Sequence, residues 1–322
     1  MIRRDFLRGI LCGGTALAAT EAAAKVVERR SVDGAALADG APTRTAESSA
    51  NKYALPILAA IPFALEDVKI LDPDLVRMRD QTLKYMLALD SDRLLHNFRA
   101  NAKLPSSAQP LYNRESPANG WRGHYVGHFL SACSQMYAST GDARIRAKAD
   151  AMIAELAKCQ THIGSEGYLS AFPESSFDDL EAGRPAAVIW YALHKIMAGL
   201  LDVYEHWQNA QALEVLEKMA SWTDWRTGRI PEEQMQRTLQ IEFGGMNEVL
   251  ANLSAVTKNP RYLVVARRFD HHAVMDPAAQ GRDTLTGLHA NTQIPKFIGA
   301  ATEAVMKAIG DHATEKAAKT QS

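Results

Sequence analysis

The chain has 322 residues, 36 Lys and Arg against 37 Asp and Glu, and 47% hydrophobic residues. That length holds one large domain or two small ones with a sizeable core. A net charge of −1 without long blocks of one sign leaves no electrostatic footprint for nucleic acid, and no nucleic-acid partner is expected.

The first residues read as an address. Arg3-Arg4-Asp5-Phe6-Leu7 matches the twin-arginine export pattern, a weakly apolar stretch runs from Gly9 to Thr20, and Ala22-Ala23-Ala24 offers a small-residue cleavage site. Residues 1–24 are therefore expected to be a signal peptide, and the chain periplasmic or secreted. The apolar run is too short and too rich in Gly and Ala for a membrane span. Cys12 follows Leu11, where a lipobox needs a small residue, so no lipid anchor is expected. Residues 25–52 lack an apolar period and read as a disordered leader. The folded domain is expected over 53–310, followed by a polar tail at 311–322.

Helical stripes recur through the domain and no long period-two alternation occurs. Helices are expected at 74–89, 125–139, 143–160, 188–206, 210–222, 244–256, 261–271 and 291–309, with an irregular insert at 164–185. Thr140-Gly141-Asp142 and Lys258-Asn259-Pro260 read as tight turns, so the helices pair into hairpins of about 45 to 65 residues, as in stacked or toroidal repeats. On such a hairpin Cys133 and Cys159 stand roughly 15 Å apart along the axis, too far for a disulfide. Cys159 and His162, three apart, lack a second ligand pair and make a poor zinc signal.

The stretch Trp190 to Tyr204 carries the strongest stripe: Trp190, Leu193, Met197, Leu201 and Tyr204. His194 sits within it. A single histidine there is more often a packed core residue than a working one, but His128 and His289 also stand near the starts of helical runs. If the inner helices of a toroid begin on one rim, the three histidines surround one mouth. Glu242 and Glu248 flank Gly244-Gly245 and are carboxylate candidates of the kind glycoside hydrolysis needs. Glu248 in a first helical turn is equally explained by the helix dipole. Trp121, Tyr125, Phe172, Trp190 and Tyr191 offer aromatic faces suited either to sugar stacking or to the core. No phosphate-binding loop, Gly-x-Ser-x-Gly elbow or His-Glu-x-x-His helix occurs.

Several motifs together resemble the β-L-arabinofuranosidase-like glycoside hydrolases of family 127. They are Pro62-Phe63 with Leu65-Glu66-Asp67-Val68, Leu87-Ala88-Leu89-Asp90 with Arg93-Leu94-Leu95, Gly127-His128-Phe129-Leu130-Ser131-Ala132, and Gly167-Tyr168-Leu169. Trp190-Tyr191-Ala192-Leu193-His194-Lys195, Glu242-Phe243-Gly244-Gly245-Met246-Asn247-Glu248 and Gly287-Leu288-His289-Ala290-Asn291-Thr292-Gln293-Ile294-Pro295-Lys296 continue the series. The resemblance implies an all-α (α/α)6 toroid acting on L-arabinofuranosyl-type plant carbohydrate. It implies retaining hydrolysis by a zinc-bound cysteine, with a glutamate as acid/base. It also makes His194 and His289 sugar-contacting positions and His128 a pocket-lining one, with Trp190 beside them.

The family's acid/base glutamate, zinc-binding glutamate and cysteines lie downstream of the His289 motif. Here no cysteine follows Cys159, so the thiol nucleophile and the zinc ligands have no counterpart and no cofactor is assigned. About eight or nine helices are legible against the twelve of six pairs, so the toroid is expected to be incomplete at its C-terminal side, its open edge suited to a partner chain or an oligomer. Two other readings stand beside hydrolysis: a non-catalytic carbohydrate-binding or truncated remnant that needs a partner chain, and a sugar epimerase or lyase using histidines as acid and base.

Overall fold

The computed structural model describes residues 63–184, 187–242 and 244–320, with side chains to residue 308. The expected signal peptide and leader lie outside the described residues, as do 53–62. Among the described residues the chain divides into two units, one of Phe63–His271 with 288–320 and one of His272–Gly287.

Helices of the first unit are α1 (Pro73–Ala88), α2 (Ser91–Asn101), α3 (His124–Thr140), α4 (Ala143–Ile163), α5 (Ser175–Glu181), α6 (Ile189–Trp207), α7 (Ala210–Thr227), α8 (Glu232–Leu239), α9 (Met246–Thr257) and α10 (Pro260–Ala266). In the second unit α11 spans His272–Ala279; α12, Ala290–Thr320, belongs to the first and runs through most of the stretch expected as a polar tail. Among the described residues there is no strand. The tally exceeds the eight or nine legible in sequence because α2, α5, α8 and α11 are only 7 to 11 residues long. Two to three turns leave too little period to read. The insert at 164–185 is one such case: Phe177 and Leu180 anchor α5 in the core.

Two layers result. The inner one runs α3 on α6, α6 on α9, α9 on α12; behind it α4 packs on α7 and α7 on α10. Each hairpin joins an inner helix to an outer one, the arrangement of an α/α toroid.

Local sequence explains why the α3–α4, α6–α7 and α9–α10 hairpins turn the same way. Helices α3, α6 and α9 end on a left-handed residue, Gly141, Gln208 and Lys258, and the next residue caps the outer helix. Asp142 accepts from the Arg144 amide (2.8 Å), Asn209 from that of Ala212 (2.9 Å) and Asn259 from that of Arg261 (3.0 Å). Short polar side chains at the N-cap satisfy amides that the helix leaves unpaired.

The inner helices start differently. Their N-cap residues Gly123, Val188 and Gly245 make no side-chain cap. For α3 and α6, long connections bring carboxylates instead. Glu115 accepts from the Gly123 and Tyr125 amides at 2.7 and 2.9 Å, and Glu242 from those of Trp190 and Tyr191 at 3.2 Å each. The rim where inner helices begin is thus built by loops, and the far end by two-residue turns.

Candidate sugar-binding cleft

Helix α6 is pressed onto α3 at Gly127 and Gly199. A Cβ on Gly127 would lie 1.9 Å from the Lys195 carbonyl oxygen, and one on Gly199 would lie 2.4 Å from that of Gly127. This backbone contact brings the first turns of α3 and α6 side by side. On the other flank Gly245, at φ +127°, lets α9 begin against the His194 ring; a Cβ there would lie 2.2 Å from it.

Between these three helices lies a cleft of about 250 Å³. His128 and Ser131 enter it from α3, His194, Lys195, Asp202 and Glu205 from α6, and Glu248 and Asn252 from α9. His194 is 6% exposed and its Nδ1 has no hydrogen-bond partner. Its pKa is held well below the ordinary histidine value by burial, then by the Lys195 and His128 charges. His128, open at the cleft mouth, is lowered to about 4 by desolvation, with Lys195 and His124 adding to it. Both imidazoles are therefore neutral at pH 7 and can donate or accept a hydrogen bond without carrying charge.

Burial raises the Glu248 carboxyl; Lys195 opposes this and the neighbouring Asp202 charge adds to it. Asp202 is raised by burial against a hydrogen bond with Ser131. Lys195 is lowered by burial, with Glu248 in opposition. Glu248 stands in the first turn of α9, where the helix dipole favours an ionised acid, and burial works against that ionisation. Asp202, Lys195 and Ser131 carry no catalytic motif. What marks Asp202 in the sequence is register, since it stands eight residues after His194 on the same helical face.

The other candidates from sequence stand elsewhere. Trp190 is 1% exposed among Phe177, Phe269 and Trp222, at centroid distances of 4.7, 5.0 and 5.9 Å, and does not line the cleft. His289 is exposed ahead of α12, where its carbonyl accepts from the Thr292 and Gln293 amides at 2.9 and 3.3 Å. Glu242 is 0% exposed, and both its oxygens are engaged at the start of α6. Burial pushes it up to about 7 against those amides and Lys296. Lys296, itself lowered to about 8 by burial, donates to the Leu239 carbonyl and to His271 Nδ1, each at 2.9 Å. This buried group ties the starts of α6 and α9 to α12 behind the cleft. Of the insert acids, Asp178 and Glu181 are held by Arg226 at 2.6 Å each, and Glu174 by the Trp222 indole at 2.9 Å.

Both described thiols lie in the core, outside the cleft. Desolvation pushes Cys133 up to about 12 and Cys159 up to about 11. His162 Nδ1 lies 2.9 Å from the Lys158 carbonyl on its own helix. Among the described residues no three His, Cys, Asp or Glu side chains group to hold a metal. A zinc site of the thiolate kind needs ionised sulfur and four donors; the described residues do not fit one.

Comparison with known proteins bears on the same motifs. A search of curated proteins finds no match. Among solved structures the chain is similar to the crystal structure of Ara127N-Se, a GH127 β-L-arabinofuranosidase from Geobacillus stearothermophilus T6, at 18% identity and a TM-score of 0.47. The similarity covers 68% of this chain and 35% of that one, so this chain spans about a third of that enzyme's length. The family model described as β-L-arabinofuranosidase, GH127 catalytic domain, matches residues 67–321. With that match running through the α/α layers and every residue of the cleft, the chain belongs to the GH127 catalytic-domain family.

Proposed function

We propose that the chain is an exported carbohydrate-active domain whose cleft receives an L-arabinofuranosyl-type sugar, with glycoside hydrolysis as its reaction. The observation that carries this is the meeting of His128, His194 and Glu248 in one groove. A sugar presents hydroxyls that both donate and accept, and two neutral imidazoles beside a carboxyl answer that chemistry without demanding a charged ligand. The buried, unpartnered Nδ1 of His194 gains a bond when such a hydroxyl arrives. Export is supported by Arg3-Arg4 and the following apolar run. Zinc supplies a template and a Lewis acid where a protein binds it, and the described donors of this chain form no such site.

A second reading, sugar binding without turnover, is favoured by the burial of Cys133 and Cys159 away from the cleft. The two are separated by titrating the purified chain with L-arabinose, alongside hydrolysis of p-nitrophenyl β-L-arabinofuranoside with and without added zinc. Binding with turnover fits hydrolysis, and binding alone fits the second reading. The substitution His194→Ala is expected to weaken L-arabinose binding about tenfold, the worth of one good hydrogen bond in a buried site. Unchanged affinity in a folded His194→Ala variant would remove the cleft from consideration.

A further inference from the structure

Beside the cleft, the rim is built of aromatic rings and one guanidinium. Trp121, in the connection that leads into α3, meets Tyr191 from the first turn of α6 edge to face, with ring centroids 5.3 Å apart and planes at 75°. The Arg114 guanidinium lies over the Trp121 ring at 5.0 Å. His124 completes the group, its ring 6.2 Å from that of Trp121 and 5.9 Å from that of Tyr191. The assembly reaches the cleft at two points. The His124 ring stands 5.7 Å from that of His128, and the Lys195 ammonium lies over the Tyr191 ring at 5.1 Å. Both His128 and Lys195 line the groove, so these rings border it directly.

Hydrogen bonds within the chain fix this wall in advance of any ligand. Glu115, next to Arg114, accepts from the Gly123 and Tyr125 amides. His124 Nδ1 lies 2.7 Å from both the Glu115 carboxylate and the Trp121 carbonyl, and Asn119 Oδ1 accepts from the Trp121 amide at 3.0 Å. The wall so held still meets solvent, since Arg114 is exposed and Trp121 half-buried. Burial raises the Tyr191 hydroxyl and the Arg114 charge opposes this, so the guanidinium stands within electrostatic reach of that hydroxyl.

We propose that Trp121, Tyr191 and Arg114 form a second carbohydrate subsite, which holds the sugar unit joined to the arabinofuranosyl group in the cleft. The proposal rests on the sugar-binding reading above and makes the ligand a disaccharide or a longer chain. A sugar ring has an apolar C–H surface and hydroxyls around its edge. Trp and Tyr rings suit the first, each an apolar body with a polar tip. A guanidinium suits the second, with five N–H donors in a rigid plane. A cation–π stack alone could serve to hold a loop anywhere on a surface. This one is set apart by its rings, which abut two groove residues at a spacing close to the span of one sugar ring. Because the wall is already bonded in place, a second unit gains these contacts with little ordering cost.

The test is calorimetric titration of the whole chain with two probes: L-arabinose, and a sulfur-linked disaccharide of two L-arabinofuranose units, which resists hydrolysis. The disaccharide is expected to bind about tenfold more tightly than the single sugar. Trp121→Ala and Arg114→Ala are each expected to lower disaccharide affinity about five- to tenfold, with L-arabinose affinity held within about twofold. Trp121→Phe keeps an aromatic face and is expected to hold disaccharide affinity within about threefold of the unchanged chain. Arg114 is exposed, so its variant tests the wall even where Trp121→Ala fails to fold. Equal affinity of the unchanged chain for the two probes would overturn the subsite and leave the cleft reading intact. So would folded variants that lose affinity for both probes in the same proportion, or for neither. Failure of both probes to bind the unchanged chain would remove the cleft reading and the subsite with it.

Discussion

At the scale of single residues, the two glutamates that flank Gly244-Gly245 part company. They are six positions apart in one motif, yet Glu242 closes the start of α6 in the core while Glu248 faces the cleft. Their surroundings make different demands. The Glu242 carboxyl titrates near 7 in the folded chain against about 4.5 when unfolded. Between those values the folded state holds a proton that the unfolded state has lost, so this residue's contribution falls as pH rises from about 4.5 through 7. In Glu242→Gln that loss is absent. Urea denaturation at pH 4.5 and at 8 should therefore show the stability of the unchanged chain, relative to Glu242→Gln, dropping by up to about 3 kcal/mol across the window. Equal differences at the two pH values would mean the buried carboxylate is solvated or neutralised by Lys296 alone.

At the scale of helices, the α3–α6 contact is the joint on which the cleft depends. Gly127 and Gly199 let two backbones touch, and that contact places the neighbouring side chains, His128 on α3 and His194 and Lys195 on α6, at one groove. The substitution Gly127→Ala puts a methyl group 1.9 Å from a carbonyl oxygen, which only separation of the helices relieves. The expected cost is about 3 kcal/mol, read as a Tm lower by roughly 10 °C for a domain of this size. A Tm within about 2 °C of the unchanged chain would show that the helices slide apart easily, and the cleft would then be a soft feature. The insert helix α5 is tied on by other means. Arg226, buried in α7, holds Asp178 and Glu181 from it, so these acids serve packing and stand apart from the chemistry.

At the scale of the whole molecule, burial decides which groups are available. Cys133 and Cys159 are core residues with thiols pushed far above neutral pH, and the thiolate is the reactive form. Alkylation of the native chain at pH 7.5, followed by peptide mapping, should leave both unlabelled until urea unfolds the protein. Rapid labelling of either one in the native state would reopen a thiol role. Much of this organisation was legible in sequence. The 3.6-residue stripes of 125–139, 143–160 and 188–206, and turns such as Gly141-Asp142, specify hairpins because local spacing and capping are properties of neighbouring residues. His128 and His194 were legible as a group because their motifs sit at matching places near helix starts. Short elements such as α5 and α8 were not, since two turns held by contacts to distant helices carry little period of their own. Nor was the sorting of acids: sequence spacing cannot distinguish Glu242 from Glu248, or promote Asp202 over Asp178. Those assignments come from which helices meet, because desolvation, a facing charge and an occupied amide are all supplied by residues roughly 50 or more positions away in sequence or on another helix.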